Sequence, residues 1–592
     1  MNLPRAYMVG TYSNVIQAFE GYNHNLRIQD NQFYDMHNMT GDYYPVLSTR
    51  APRGYIRQIE NPVGFYASEA LVWIENGTLY YDSKKICELE GTMERYFVSM
   101  GAYLCIFPDK KILNIQTMEI EEMEAEYKSA GEVKYTLTKL DATPYEADKI
   151  YSGENAPADV KVYPYWYDTK EKALKLWNEN YNTWDIVGTT YIKIEAEGIG
   201  KDFAENDAVK IEGSVIEELN NTSIIEQVED DYIIVTGLIV GENTQQTELV
   251  VKREVPEMDF VCENGNRLWG CSSEKHEIYA SVLGNPKNFN VFRGLSDDSY
   301  AATVGTGGEF TGCIAHLGYV LFFKENMIHK VYGTVPGNFQ ITEIHCRGVQ
   351  KNSHKSMALV GETLFYKARD GVCMYDGSMP VLISECLGKT LYKEGVGAPL
   401  NDKYYLSMSN QQDEWKLFVY DASKGMWHVE DATHVLWFGY YYGGLYYINH
   451  LGEMYLINTE YEDNAIYPGM ENMYPGVYYP NSTSTNREEE FMPWMFETGD
   501  IGLETIENKY ISKINIRLYL AEGSMAEIYV QYDSGEWELI NSINNTDKRN
   551  YVVPIITRRC DHMRIRMEGY GEAKLYSLQK VTERGSDVNG NN

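Results

Sequence analysis

Short apolar runs separated by turn residues recur along most of this chain, and they predict β-strands. The clearest stretch spans residues 266–333, where runs such as Tyr319–Phe323 alternate with turns rich in Gly, Asn and Pro. Runs of this kind are typical of strands that are joined by tight connections. Four-stranded units that recur every ~40–50 residues predict the blades of a β-propeller.

The same pattern appears on both sides of a long interruption. Residues 61–117 form the first predicted blades, where Asn76-Gly77 is the signal of a tight hairpin turn. Residues 257–458 form the remaining blades. A Tyr-Asp pair precedes a turn in three units, and we expect its Asp to close each hairpin while Trp427 packs on the next strand. These pairs are Tyr81-Asp82, Tyr375-Asp376 and Tyr420-Asp421. The repeat is degenerate, and it predicts six to seven blades.

The rest of the chain differs in composition from the blades. Residues 118–256 are richer in Glu, Lys and Asp, and they predict a small inserted β domain. Residues 491–582 alternate apolar and polar positions with period two, which is typical of a β-sandwich with one wet face. Three further regions are predicted: an N-terminal extended segment that joins the propeller (1–60), a linker or arm (459–490) and a flexible tail (583–592). The predicted fold class is all-β.

Composition supports an ordered all-β protein and disfavours one class of function. The 592 residues are 44% hydrophobic and include 50 Tyr, whose rings suit half-buried sheet surfaces and interfaces. The net charge is −34. Sequence-neutral nucleic-acid binding needs Lys and Arg to neutralise phosphates, so this charge disfavours it. Solubility is the simpler explanation of the acidity. The more specific explanation is a negatively charged surface along which DNA moves without binding.

Cysteines and termini suggest a protein that folds in a cytoplasm. The nine cysteines are odd in number and never form CxxC, which argues against a zinc site or a disulfide framework and for reduced thiols in strands. The N-terminal residues lack the basic and apolar regions of a signal peptide. The most apolar late run, residues 435–448, is broken by glycines and is too short to span a bilayer. We therefore expect no membrane segment.

Candidate chemical groups are present, but their patterns favour structural roles. Three histidines lie in strands without metal-ligand spacing: His316, His329 and His345. Three acidic pairs could suggest a glycosidase, although adjacent acids are usually solvated turns: Asp297-Asp298, Glu217-Glu218 and Asp230-Asp231. The glycine-rich residues 303–308 lack the Gly-Lys-Ser/Thr of a phosphate loop, and residues 420–427 only faintly resemble a sialidase Asp-box. We expect no catalytic, cofactor-binding or metal-binding residues, and no cofactor.

Four stretches resemble the β-propeller virion proteins of tailed bacteriophages, typified by the nozzle or tubular tail protein of short-tailed phages. The first is Asn38-Met39 with Pro45-Val46-Leu47 and Arg50-Ala51-Pro52-Arg53-Gly54; the second is Asn266-Arg267-Leu268-Trp269-Gly270 with Ile278 to Phe289; the third is Gly200 to Gly213 with Leu219 to Thr222; the fourth is Glu497-Thr498-Gly499-Asp500-Ile501-Gly502. In the second stretch Asn285 stands where the family usually has Asp. None of these motifs is catalytic.

The resemblance implies a non-enzymatic virion protein of a phage tail or neck. Its subunits would form a homo-oligomeric ring around the DNA exit channel, next to portal, adaptor and other tail proteins. Genomic DNA would pass during ejection without specific binding, and assembly would occur in the host cytoplasm. Two alternatives stay open: a distal tail-tip or baseplate subunit that contacts the host surface, and a carbohydrate-active propeller enzyme whose sandwich binds sugar.

Overall fold

A computed structural model describes residues 11–457, 492–503, 509–544, 549–554 and 558–584, and it is all-β. The helical elements in these ranges are five single 3-10 turns: Ala147–Lys149, Glu217–Leu219, Pro336–Asn338, His354–Ser356 and Glu385–Leu387. No helix in the described ranges is long and apolar enough to cross a membrane. The chain divides into two compact units: unit 1 is residues 1–96, 322–329 and 343–592, and unit 2 is residues 97–321 and 330–342.

Seven four-stranded sheets are the blades of a β-propeller, which confirms the predicted fold class and blade number. Blade 1 is β6 (Pro62–Ala67), β7 (Leu71–Glu75), β8 (Thr78–Tyr81) and β9 (Lys84–Glu88); blade 2 is β10 (Tyr96–Met100), β11 (Tyr103–Phe107), β12 (Lys111–Asn114) and β13 (Glu119–Glu122). Blade 3 is β26 (Phe260–Glu263), β27 (Leu268–Ser272), β28 (Glu277–Ala280) and β29 (Tyr300–Thr303); blade 4 is β30 (Gly312–His316), β31 (Tyr319–Lys324), β32 (Met327–Tyr332) and β33 (Gln340–His345).

The last three blades lie in unit 1. Blade 5 is β34 (Ala358–Val360), β35 (Thr363–Ala368), β36 (Gly371–Tyr375) and β37 (Val381–Leu382); blade 6 is β38 (Tyr392–Leu400), β39 (Lys403–Asn410), β40 (Trp415–Asp421) and β41 (Met426–Val429). Blade 7 combines β42 (Val435–Tyr441), β43 (Gly444–Asn449) and β44 (Glu453–Ile457) with β5 (Gly54–Gln58) from far upstream. Strand β5 pairs antiparallel with β44, so it forms hydrogen bonds with backbone groups of β44 that would otherwise lie at an open sheet edge.

The insertion forms two sheets in unit 2. Its eight-stranded sheet has the order β14-β25-β21-β22-β23-β20-β15-β24, and its four-stranded sheet the order β16-β17-β18-β19. The strands are β14 (Ala125–Lys128), β15 (Val133–Thr138), β16 (Ile150–Gly153), β17 (Tyr165–Asp168), β18 (Ala173–Asn178), β19 (Thr183–Ile186), β20 (Tyr191–Glu195), β21 (Ala208–Glu212), β22 (Thr222–Glu229), β23 (Tyr232–Thr236), β24 (Asn243–Gln245) and β25 (Val250–Arg253). Its separate core includes Ile194, Ile233 and Val251, all fully buried.

Two sheets form the C-terminal β-sandwich, and both recruit strands from the N-terminal region. One has the order β2-β45-β51-β47-β48; the other has β3-β4-β52-β46-β49, with β1 on β52 and β50 on β46. The strands are β1 (Thr11–Ile16), β2 (Phe33–His37), β3 (Met39–Thr40), β4 (Leu47–Thr49), β45 (Pro493–Thr498), β46 (Lys509–Leu520), β47 (Met525–Tyr532), β48 (Trp537–Ile543), β49 (Arg549–Pro554), β50 (Arg559–Cys560), β51 (Met563–Tyr570) and β52 (Ala573–Arg584).

The sandwich core follows the period-two pattern. Ile514, Ile516 and Leu518 of β46 are buried, while Arg517 between them is exposed. This core continues without a break into blade 6 through Phe418. The alternation therefore decides which face of each strand is covered.

Three predicted boundaries need correction. The segment 1–60 was predicted to join the propeller, but only β5 does; β1 to β4 belong to the sandwich, because β1 and β4 both pair with β52. The insertion begins after residue 122 rather than at 118, because the Glu-rich β13 is the outermost strand of blade 2. Strand β52 reaches Arg584, so the predicted tail from 583 starts inside a strand. The predicted linker 459–490 and the rest of the tail lie outside the described residues.

Candidate functional site

The acidic pairs lie in turns and connections, where Asp298 and Asp231 accept hydrogen bonds from backbone N–H groups. Asp298 accepts hydrogen bonds from the N–H groups of Gly294 (2.6 Å) and Leu295 (3.0 Å) and from Nε of Arg293 (3.1 Å). Burial alone would raise the pKa of Asp298, but these donors lower it. A general acid needs the opposite shift. Glu217-Glu218 lie in a 3-10 turn, and Asp231 accepts the N–H of Gly198 at 2.7 Å.

The three candidate histidines do not converge. His316 is buried at the end of β30, and His345 is exposed at the end of β33. His329 is fully buried in β32, where its Nε2 lies 3.8 Å from Oε1 of Glu343, and burial lowers its pKa. Within the described ranges, no three His, Cys, Asp or Glu side chains come together as metal ligands would. None of the nine cysteines, which all lie in the described residues, is in a disulfide, and five of them are buried.

The Asp-box-like residues 420–427 form the hairpin between β40 and β41. Oδ1 of Asp421 accepts hydrogen bonds from the Ser423 hydroxyl (2.7 Å) and the Lys424 N–H (3.0 Å). Trp427 lies opposite Tyr420, with ring centroids 5.0 Å apart. The expected role of the Asp and the Trp in this hairpin is therefore confirmed. In the glycine-rich residues 303–308, Thr303 ends β29 and residues 304–308 form an irregular connection after it.

The first stretch of the resemblance supplies a buried ion-pair network, which we call the N-terminal clamp (Arg50, Arg53, Glu430 and Asp431). Arg53 donates from Nη2 to Glu430 Oε2 (2.6 Å) and from Nη1 to Asp431 Oδ2 (2.7 Å). Arg50 lies 3.6 Å from Glu430 and 3.8 Å from Asp431. Burial alone would raise the pKa of Asp431, but the guanidinium groups, that of Arg53 foremost, hold it far below its usual range.

The N-terminal clamp fixes where β5 enters blade 7. Arg53 immediately precedes β5, and Glu430 and Asp431 lie in the connection between β41 and β42. Both arginines are 4% exposed, and the two carboxylates are their main counter-charges. A buried charge is tolerated only when it is paired in this way. The clamp therefore joins the N-terminal segment to the last two blades.

The second stretch organises the long loop of blade 3. The buried guanidinium of Arg267 donates to the carbonyl oxygens of Ser281 (2.7 Å), Ser296 (2.8 Å) and Asp298 (2.5 Å), at both ends of the loop 281–299. Burial lowers the pKa of Arg267. Asn285, which replaces the family's Asp, accepts the N–H of Lys287 at 2.9 Å, as an aspartate carboxylate would.

The third stretch meets the second in what we call the insertion clamp (Asp207, Arg253 and Asn288). Asp207, 2% exposed, accepts a hydrogen bond from Arg253 Nη1 at 2.5 Å and another from Asn288 Nδ2 at 2.9 Å. Asn288 Oδ1 in turn accepts the N–H of Ala208 at 3.2 Å. Asp207 and Arg253 belong to the insertion, whereas Asn288 belongs to the loop of blade 3. These bonds therefore join the insertion to the blade.

A cleft of about 760 Å³ lies beside the insertion clamp in unit 2. Glutamates of β13 and β14 line it, together with Lys201 and Lys287. The glutamates are paired with lysines, as in the Glu121–Lys287 pair and the pair of Glu126 with Lys252 at 3.1 Å. Because these charges compensate one another, the cleft offers a ligand little unbalanced charge.

The fourth stretch supplies a clamp within the sandwich. Glu497, 8% exposed, pairs with Arg564 Nη1 at 3.1 Å and with Arg566 Nη2 at 2.9 Å. Asp500 accepts from Arg564 Nε at 2.6 Å. The Thr498 hydroxyl accepts the N–H of Ile565 at 3.0 Å. These contacts connect β45 to β51 through side chains in addition to the strand ladder.

Several residues of these clamps had no signal in the sequence. Glu430 and Asp431 are adjacent acids in a connection, a pattern that indicates a solvated turn. Arg253 stands at the end of a strand outside every quoted motif. Their distance along the chain from their partners, 378 residues for Arg53 and Asp431, hides the pairing.

Comparisons with known proteins give weak likenesses. No family model matches the chain, and no curated protein matches it. Among solved structures, BamB from Moraxella catarrhalis matches with 7% identity and a TM-score of 0.32, over 70% of this chain and 98% of BamB. PorZ from Porphyromonas gingivalis matches with 10% identity and a TM-score of 0.25, over 90% and 82% of the two chains. An exo-beta-1,3-galactanase from Phanerochaete chrysosporium matches with 8% identity and a TM-score of 0.19, over 53% and 92%.

Proposed function

We propose that this chain is a non-enzymatic structural protein of a bacteriophage tail or neck whose copies form a ring around the DNA exit channel. One observation carries the proposal. Each of the four stretches that resemble the virion proteins supplies a buried or half-buried charged residue that ties parts of the chain together. Three of these residues join segments 46 to 378 residues apart, and Arg267 joins the two ends of the loop 281–299. The motif residues thus serve the architecture that the resemblance implies.

The electrostatics of two acidic residues that contact the motif arginines support a structural role. Asp431 and Asp298 both have lowered pKa values, because cations and N–H donors stabilise their carboxylates against the effect of burial. The general acid of a glycosidase has a raised pKa, so that it can donate a proton near neutral pH. The two aspartates are held as permanent anions.

The net charge supports the same proposal. At −34 the protein repels the phosphate backbone, so a channel built from its copies would not retain the passing genome. Tyrosines such as Tyr181 (77% exposed) and Tyr442 (72% exposed) offer contact surface, and Tyr is enriched at protein interfaces.

Localisation on purified phage particles tests the proposal. Gold-labelled antibodies against the purified chain should mark the neck or the short tail. A label at the distal tip would favour the tail-tip alternative, and particles that lack the protein would contradict any virion role.

A second assay addresses the enzyme alternative. The purified chain should leave host cell-wall glycans intact on prolonged incubation, as judged by chromatography of the soluble sugars. Reproducible cleavage that is lost on heat denaturation would overturn the structural role.

A further inference from the structure

A buried histidine lies where the N-terminal residues contact blade 6. His428 belongs to β41 and is 2% exposed. Its ring faces the backbone of Gly21 and Gly41, so closely that a Cβ at Gly41 would lie 3.1 Å from Nε2. Neither ring nitrogen has a hydrogen-bond partner in the described part of the chain. The imidazole is therefore buried without a hydrogen-bond partner, a setting that favours its neutral form.

The charged groups that face His428 are already paired with each other. Asp42, which follows β3, is bonded to Lys403 at the start of β39. Asp421, at the end of β40, accepts Lys424 Nζ at 2.5 Å. A protonated His428 would thus gain a buried positive charge between two ion pairs, with no carboxylate free to receive it. Such a charge is costly in the interior of a protein.

The hydrogen bonds that hold this junction flank His428 along the chain, one on each side. The N–H of Tyr22 donates to the Trp427 carbonyl at 2.6 Å, and the N–H of Asn38 donates to the Glu430 carbonyl at 2.6 Å. Movement of residues 20–42 away from β41 and its imidazole would stretch both bonds. The junction residues 20–42 include β2 and β3 of the sandwich, so the same movement separates sandwich from blade.

We propose that His428 is an acid-sensitive latch: it holds residues 20–42 against β41 while neutral, and its protonation releases them. Burial, the largest cause, and the charge of Lys403 lower the pKa of His428 to about 4 from 6.5. The pKa of His428 is lower in the closed junction than in an open one, where the imidazole is exposed. The closed junction is therefore fully favoured above about pH 6.5 and is weakened progressively as the pH falls towards 4. The proposal is independent of the virion role.

Hydrogen exchange of the full chain, followed by mass spectrometry, tests the latch. Between about pH 7 and about pH 5, a group with these two pKa values raises the opening equilibrium by about 20-fold. After correction for the intrinsic exchange rate, peptides that cover residues 20–42 should lose protection by that factor. Peptides from blade 1, residues 71–88, should not. Unchanged protection of residues 20–42 at the lower pH would overturn the proposal.

Two matched variants assign the response to one side chain. His428→Met cannot be protonated and should abolish the acid-induced loss of protection in residues 20–42. His354→Met is the control, because burial lowers the pKa of His354 to about 4 as well, yet this residue lies in a turn before blade 5. It should respond as the wild type does. If His428→Met responds like the wild type, or if His354→Met removes the response, the latch is not His428. Should His428→Met fail to fold, unchanged protection of residues 20–42 in the wild type at the lower pH would still overturn the proposal.

Discussion

Replacing Arg53 with methionine removes the centre of the N-terminal clamp. Arg53 is 4% exposed and contacts Glu430 at 2.6 Å and Asp431 at 2.7 Å. The variant keeps most of the side-chain volume but leaves the buried Glu430 and the partly buried Asp431 without their nearest cation. Removing one partner of a buried ion pair costs about 3–5 kcal/mol. We expect Arg53→Met to lower the local free energy of opening by about 3 kcal/mol, at the low end of this range, because Arg50 still lies within 4 Å of both carboxylates.

The effect should be local, and hydrogen exchange measures it locally. A protein of several domains does not unfold in one step, so a single melting temperature would not report the clamp. At 1.36 kcal/mol per tenfold change, a loss of about 3 kcal/mol raises exchange by about 150-fold. We expect that increase in β5 and in its partner β44, since Arg53 immediately precedes β5.

An exposed ion pair provides the matched control. Arg347 and Asp370 are bonded at 2.8 Å, and both are about half exposed. Such a pair contributes about 0–1 kcal/mol, so Arg347→Met should leave the protection of β5 unchanged. The triple variant with Glu430→Gln and Asp431→Asn added to Arg53→Met should recover part of the protection, because no unpaired charge remains. Equal protection of β5 in Arg53→Met and Arg347→Met would refute the role given to the clamp.

Three further variants test the other buried charges. Asp207→Ala leaves the Arg253 guanidinium without its carboxylate partner and should raise hydrogen exchange in β21 by about 150-fold, as a loss of about 3 kcal/mol predicts. Exchange equal to that of the wild type would contradict the insertion clamp. Arg267→Met leaves carbonyl oxygens at both ends of the loop 281–299 without their donor, so limited trypsin digestion should cut that loop first. An uncut loop would contradict the role of Arg267 in ordering it. Burial lowers the pKa of Lys367 to about 8 from 10.5, so the wild type should gain stability as the pH rises from about 8 to about 10. At neutral pH, Lys367→Met should protect β35 from hydrogen exchange more strongly than the wild type does, by up to about 3 kcal/mol in local opening free energy, and should lack this pH dependence. Weaker protection than in the wild type would contradict the direction of the pKa shift.

The blades and the sandwich faces were predictable because their signals are local. Apolar runs and turn residues act within one hairpin, and Asp421 with Trp427 closes the hairpin that the sequence indicates. The alternation of β46 likewise assigns its buried face. Strand β13 was missed because two of its four residues are exposed and three are glutamates, a composition typical of an edge strand and also of a loop.

Long-range pairing had no local signal. Thr11 in β1 opposes Glu583 in β52, so the two ends of the described chain share one sheet. Nothing within a window of ten or twenty residues distinguishes such a strand from one that joins a blade. The prediction that residues 1–60 join the propeller was therefore right for β5 and wrong for β1 to β4.

The sequence indicated one residue of each charged cluster but not the partner of that residue. The resemblance pointed to Arg53, Arg267, Asp207 and Glu497, but not to what each contacts. Partners such as Asp431 and Arg564 lie in other elements, and their types are equally common on solvated surfaces. Only the three-dimensional structure shows that these charged groups are paired and largely shielded from solvent.

Electron cryomicroscopy of the intact phage particle tests the central proposal most directly. We expect copies of this seven-bladed propeller, with its insertion and sandwich, to form a closed ring around the axial DNA channel at the neck or short tail. Density that places the chain only at a distal fibre or baseplate, away from the channel, or that lacks it altogether, would contradict the proposed function.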